Sequence, residues 1–257
     1  MVRPLPLRRP QSSDRGVAAS LRSRGGWKGV SEGAGPPSGP ELPEIPNLFS
    51  HFDASSLELS DNDLVEEWPD LSGNDLHVIQ ATESARPVYR ENQINGFPAL
   101  EFDGDRLLRI DWGSAIAQPF TVFGVVQIDS PTLFQTIFGR TEGSDNINLF
   151  QFQNQSNGEQ WSAGADDTFQ RSNSNSTDKW TSFSLVWQNN VDIYINGVFD
   201  DSGDIGTNGW HGITLGGGRA SPSFEGRLAE LIISRDLLGS EDLDEVHSYL
   251  YEKYGIE

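Results

Sequence analysis

The amino-acid sequence predicts an all-β sandwich with one short C-terminal helix and an irregular N-terminal arm. Three observations predict it. From residue 46 onward apolar residues come in strand-length runs, several of them alternating with period 2. Turn residues separate the runs, and the 257-residue chain holds 27 glycines. One stretch alone, residues 240–254, has a helical apolar face.

The elements follow in order. Residues 1–45 are rich in Pro, Gly, Ser and Arg and lack periodicity, and Gly33-Ala-Gly-Pro-Pro-Ser-Gly-Pro40 is a linker by composition. They form an arm, read as an assembly or docking tether, ahead of a domain spanning 46–257. The domain opens with Leu48-Phe-Ser-His-Phe-Asp53, and Ala99-Leu-Glu-Phe-Asp103 alternates cleanly. Phe120 to Ile128 is a long apolar strand suited to a sheet centre. Shorter runs cover residues 132–139, 146–153 and 160–163. Trp180 to Trp187 and Val191 to Ile195 pair across a tight turn at Gln188-Asn-Asn190, and Asn196-Gly197 invites a second. Trp180 and Trp187 are seven apart and so face opposite sides of their strand. Gly212 to Gly218 and Gly226 to Ser234 complete the sheets. In the helix, Ser240 is the expected N-cap, Leu243, Val246, Leu250 and Tyr254 share one face, and Gly255 is the stop.

Charge narrows the partners. The formal net charge is -20, and only the first 44 residues are basic, with seven Lys/Arg against four Asp/Glu. The remainder carries 11 basic and 34 acidic residues, so it repels phosphate backbones, and nucleic acid is excluded as its partner. High Asp/Glu with fifteen Arg but three Lys matches the bias of salt-loving archaea. Cysteine is absent, which excludes disulfides and thiolate metal sites. No apolar run approaches the ~20 residues of a membrane span. The N-terminus is positively charged but has no apolar h-region, so it reads as no secretory signal.

Several blocks carry a family resemblance. Trp68, Asp70, Ser72, Gly73 and Asn74 form a Trp-x-Asp-x-Ser-Gly turn. Asn95, Gly96, Pro98, Ala99, Phe102, Asp103 and Gly104 follow, then Phe120-Thr-Val-Phe123, and finally Phe224, Gly226, Ala229 and Glu230. In this order and spacing, over residues 46–257, they resemble the laminin-G-like members of the concanavalin A-like lectin/glucanase superfamily. The resemblance implies a jelly-roll sandwich that binds rather than cuts. The residues themselves read as structural: Phe102 inward, Asp103-Gly104 a turn, and Glu230 opposite Leu231, accepting hydrogen bonds from a neighbouring loop.

The chemistry agrees. The glucanase branch sets carboxylates as Glu-x-Asp-x-x-Glu on one strand. The nearest match, Glu101-Phe-Asp-Gly-Asp-Arg106, has Arg106 at the third acidic place. No catalytic residue is therefore assigned. His51, His77, His211 and His247 have no zinc spacing. The resemblance implies calcium at a sandwich rim, for which Asp200, Asp201 and Asp204 cluster oxygen ligands in one expected loop and Asp166-Asp167 is a second place. Carbohydrate needs an exposed aromatic platform beside polar groups. Trp112, Trp161, Trp210 and His211 are the candidates, with amides and hydroxyls from Asn154-Gln-Ser-Asn157 and from residues 171–177, and the sites Asn154-Gln-Ser156 and Asn175-Ser-Thr177 also fit N-glycosylation.

A lectin-like domain without an export signal is reconciled by a virus particle, whose proteins assemble in the cytosol. The expected function is thus a non-enzymatic virion surface protein, such as a capsid decoration, turret or tail adhesin. Its jelly roll would bind host surface glycans, and its arm would dock into other virion proteins, with homo-oligomeric symmetry. The alternatives are a cellular or surface-associated carbohydrate-binding module and a glycan-cleaving enzyme.

Overall fold

The computed structural model describes residues 37–129, 134–141, 150–155, 158–165, 168–174, 179–218 and 221–256. Among the described residues the sandwich is one compact unit, and it includes residues before 46. Ile45 is buried and Leu42 packs on the cluster beneath the helix, so the end of the compositional arm belongs to the domain. The remainder of the arm lies outside the described residues.

Two antiparallel sheets form the sandwich. One runs β14 (Val198–Asp204), β13 (Asn190–Ile195), β12 (Trp180–Gln188), β7 (Phe120–Ile128), β18 (Glu225–Ser234), β5 (Phe97–Asp103) and β4 (Val88–Ile94), with β1 (Leu48–Asp53) also on β18. The other runs β11 (Phe169–Arg171), β10 (Gly158–Gly164), β9 (Phe150–Gln155), β8 (Phe134–Gly139), β15 (Trp210–Leu215), β6 (Leu108–Ile116), β3 (Val78–Ile79) and β2 (Glu67–Trp68). A two-strand ribbon joins β16 (Gly217–Gly218) to β17 (Ser221–Pro222). The expected long apolar strand, β7, lies at the centre of its sheet. It is buried on both faces, because α1 (Ser240–Tyr254) covers the side away from the other sheet. We call these the helix-side sheet and the open sheet.

Local chemistry explains the turns. Asn189, Asn196 and Gly197 all have positive φ, at 52°, 50° and 74°, as the tight hairpins β12–β13 and β13–β14 require. Trp187 points into the core between the sheets and Trp180 packs on the helix side, as their spacing implies. Asp103 accepts from the Asp105 amide across Gly104, which closes the expected turn. Gly239, rather than Ser240, caps the helix, and its amide donates to Asp242 Oδ2. Leu243, Val246, Leu250 and Tyr254 are buried, and Gly255 ends the helix at φ 65°.

The Trp68–Asp75 turn has a structural task. The Asp70 carboxylate accepts from the amides of His51, Ser72 and Leu76 and from the Ser72 hydroxyl, at 2.8–3.1 Å. Asn74 Nδ2 donates to the carbonyls of Leu48 and Phe49 on β1. The turn therefore pins β1, a short strand that pairs only with β18.

β1 then delivers His51 and Asp53 to a buried polar cluster. A bulge in β18 at Ala229, where Leu228 pairs with Val126 and Glu230 with Val125, shifts the strand's phase. Leu228 and Leu231 face the core, whereas Ala229 and Glu230 both face the helix. Glu230 is fully buried, and its donors come from β1 and the helix rather than from a loop. Oε1 accepts from His51 Nε2 (2.7 Å) and Tyr249 Oη (2.8 Å). Oε2 accepts from Lys253 Nζ (2.9 Å) and Tyr254 Oη (2.8 Å). Lys253 Nζ also donates to Asp53 Oδ2 (2.6 Å) and contacts Tyr249 Oη (3.0 Å). Four donors fill the carboxylate and three partners fill the ammonium, so the desolvation cost is offset by complete pairing.

The partners act on Glu230 against its burial. Burial alone would raise its pKa, but the His51 hydrogen bond and the Lys253 charge outweigh it, and the pKa falls from 4.5 to about 2. A carboxylate with a lowered folded-state pKa stabilises the fold above its unfolded value, and that stability is lost as pH falls through the folded one. Urea denaturation as a function of pH is expected to show stability dropping between pH 4.5 and 2. At neutral pH, Glu230→Gln should cost about 3–5 kcal/mol, because it removes one carboxylate of the buried ion-pair cluster and sets amide hydrogens against its donors. The variant should also show a shallower loss over the acid window.

Candidate functional site

With the helix on one sheet, the outer face of the other is left open among the described residues. Strand alternation in β6 turns Leu108 and Ile110 toward the core and Arg109 and Asp111 outward. Arg109 pairs across the strands with Ile79 and Thr214, and Asp111 with Gly212. Gly212 sits where a Cβ would come within 2.3 Å of the Ile110 carbonyl and 2.5 Å of Thr141 Oγ1. Only glycine fits there. A cleft of about 420 Å³ results, lined by His77, Ile79, Arg109, Ile110, Asp111 and Thr141.

The cleft has unused hydrogen-bonding capacity. Among the described residues, the Arg109 guanidinium has no ion pair or hydrogen bond, whereas Arg86, Arg90, Arg106 and Arg227 are each paired with a carboxylate. One Asp111 oxygen accepts from the Gly113 amide at 2.7 Å, leaving the other free. His77 Nδ1 accepts from the Asp70 amide, which places the neutral ring's proton on Nε2 as a donor. The Thr141 and Thr214 hydroxyls are buried without partners. Ile79 adds a half-exposed apolar surface. Donors, acceptors and an apolar patch around an open groove suit a polyhydroxylated ring.

The aromatic platforms expected from the sequence lie elsewhere. Trp161 is fully buried, stacked 5.3 Å from Phe150 at an interplanar angle of 3°. Trp210 is fully buried too, 4.3 Å from Phe120 and 6.3 Å from Trp112. Both hold inward phases of their strands, so a sugar has no access to either ring. Trp112 is half-buried and packs edge-on to Phe49 at 5.0 Å. His211 is exposed, in a bulge of β15 beside Gly212. The side chains of Asn154 to Asn157 and the residues Asn175 to Thr177 fall outside the described residues.

The acidic run 200–204 is strand rather than loop. It forms the edge strand β14, and its carboxylates do not converge. Asp200 accepts from the Asn173 amide and the Ser174 hydroxyl, Asp201 from Asn173 Nδ2 and the Ser202 amide, and Asp204 from the Gly206 amide. These bonds join β14 to the segment after β11. Asp166 and Asp167 fall outside the described residues. The acidic and histidine side chains that do converge are His51, Asp53 and Glu230, with ligand atoms within 4.8 Å of one another, and there the Lys253 ammonium takes the cation's place. On β5, Glu101 pairs with Arg90 and Asp103 with Arg106.

Sequence reasoning passed over Arg109, His77 and Thr141. The signal for the first was present in Leu108-Arg-Ile-Asp-Trp112, whose alternation puts Arg109 and Asp111 on one face. His77 and Thr141 reach the cleft only through the pairing of distant strands.

The fold defines a jelly-roll β-sandwich. Neither a protein-family model nor a curated protein matches the chain. Solved structures do. One is domain 4 of an extracellular GH43 arabinanase from Geobacillus stearothermophilus, in complex with arabinotriose, at TM-score 0.55 and 20% identity, covering 80% of this chain and 99% of that one. A botulinum neurotoxin type C structure, described with two ganglioside molecules in cell entry, matches at TM-score 0.54 and 14% identity, covering 79% and 51%. A Trypanosoma rangeli sialidase matches at TM-score 0.50 and 14% identity, covering 85% and 36%. The chain thus spans the whole of the first but only about half and a third of the other two. At these identities the likeness is one of fold, and these three lend no support to a viral or halophilic origin.

Stability should separate core from surface here. Trp161→Ala and Trp210→Ala are each expected to lower unfolding free energy by about 3–5 kcal/mol in chemical denaturation. His211→Ala is expected to change it by no more than about 0.5 kcal/mol.

Proposed function

We propose that this chain is a non-catalytic carbohydrate-binding module whose open-sheet cleft receives a glycan. The observation that carries the reading is the set of unpartnered polar groups around one groove: Arg109, a free Asp111 oxygen, His77 Nε2 and the orphan Thr141 hydroxyl, beside exposed Ile79. The fold shared with the arabinotriose-bound arabinanase domain supports it. The pairing of Glu101 and Asp103 with arginines favours binding over cleavage. Arg109 and Asp111 would read hydroxyls in the plane of their charged groups, and Ile79 would meet a sugar face.

A glycan array that includes arabino-oligosaccharides, followed by calorimetry on the hits, tests the proposal. Arg109→Ala and Asp111→Ala are each expected to weaken binding about tenfold, or about 1.4 kcal/mol, with unfolding midpoints unchanged. Absence of binding across the array, or release of reducing sugar from a bound glycan, would overturn it.

The basic arm motivates a separable proposal. It would tether the module to a larger assembly, such as a virion bearing repeated copies. Removal of residues 1–36 should leave glycan affinity intact while abolishing incorporation into particles. Incorporation of the truncated chain would refute the tether.

A further inference from the structure

The buried cluster beneath the helix holds every part needed for a covalent reaction. Lys253 is 3% exposed, and its Nζ lies 2.6 Å from Asp53 Oδ2. Glu230, wholly buried, has Oε2 at 2.9 Å from the same nitrogen. The other oxygen of Asp53, Oδ1, accepts from the Ser55 amide at 2.8 Å. Rings of Phe97, Tyr249 and Tyr254 surround the ammonium at 5.0–5.6 Å and exclude water. The arrangement thus comprises an amine, a carboxyl, a base touching the amine and a donor on the carboxyl oxygen, in a dry site.

We propose that Lys253 and Asp53 condense into an intramolecular isopeptide bond, with Glu230 carrying the protons. Glu230 Oε2 passes a proton from the Lys253 ammonium on to Asp53 Oδ2, so that in a minor fraction of molecules a neutral amine faces a neutral carboxylic acid. The free amine attacks Cγ of Asp53, and the Ser55 amide steadies the charge that collects on Oδ1. Glu230 relays the second proton lost by nitrogen to Oδ2, which leaves as water, and Glu230 returns to its starting carboxylate. Ammonium plus carboxylate become amide plus one water, with no oxidant or cofactor. Free amines and carboxylic acids do not condense in water. Here contact between the groups supplies an effective concentration on the order of 10⁵ M or more, and the ring-lined site keeps the water activity around the new amide low. His51, Tyr249 and Tyr254 act as positioning residues, because they hold Glu230 against the amine. The bond would join the first strand to the C-terminal helix across 200 residues of sequence, a closure that removes much freedom from the unfolded chain.

Mass spectrometry of the purified, denatured full-length chain tests this. The expected mass is that of the sequence less one water, and proteolysis is expected to yield a branched peptide joining the segments around Asp53 and Lys253. Lys253→Arg keeps the positive charge but has no amine to acylate, so it should show the full mass and two separate peptides. Glu230→Gln, where circular dichroism shows it folded, should also retain separate peptides. Wild-type protein at the full sequence mass with two linear peptides would refute the bond. So would a water loss that persists in Lys253→Arg, which would instead be cyclisation at an aspartate.

Discussion

A single buried carboxylate organises one half of this sandwich. Glu230 faces α1 because of the bulge at Ala229, and from there it holds residues of β1 and the helix together. A buried carboxylate without partners would not remain ionised. β1, β18 and α1 must therefore be in register together, or the cluster fails together. The Trp68–Asp75 turn serves the same constraint from the other side, because Asp70 and Asn74 fix β1, which carries His51 and Asp53.

That arrangement divides the labour between the two sheets. The central strand β7 of the helix-side sheet is buried on both faces, between the other sheet and α1. The open sheet keeps a wet outer face, where the alternation of β6 presents charged groups and Gly212 lets the floor of a cleft approach the backbone. The large aromatic residues lie mostly between the sheets. They stack on one another, as Phe150 with Trp161 and Phe120 with Trp210 do, and supply packing rather than recognition.

Particular residues show why the fold was more legible than the site. The alternation of β5, the apolar run of β7 and the paired runs of β12 and β13 with their Asn and Gly turns are local signals. The helix face, Leu243 to Tyr254, and its stop at Gly255 were equally local. The tryptophan platforms were misplaced for a physical reason: a tryptophan next to a turn can point either way, and only the pairing register of the strand decides. Trp161 and Trp210 took inward phases. The Asp200–Asp204 run read as a loop because its composition is that of a loop, yet cross-strand bonds to β13 hold it as an edge strand.

The sequence by itself determined the class of fold, the position of the helix, the acidity of the sandwich and the departure of Arg106 from the glucanase carboxylate pattern. These depend on residue type, period and charge, which neighbours along the chain define. The tertiary structure decided the role of Glu230, the pairing of Lys253 with Asp53, and the cleft of His77, Arg109 and Thr141. Each of these joins residues far apart in sequence, and in the first a one-residue bulge reverses which face a side chain occupies. Proximity of that kind is set by strand register, and no local pattern encodes it.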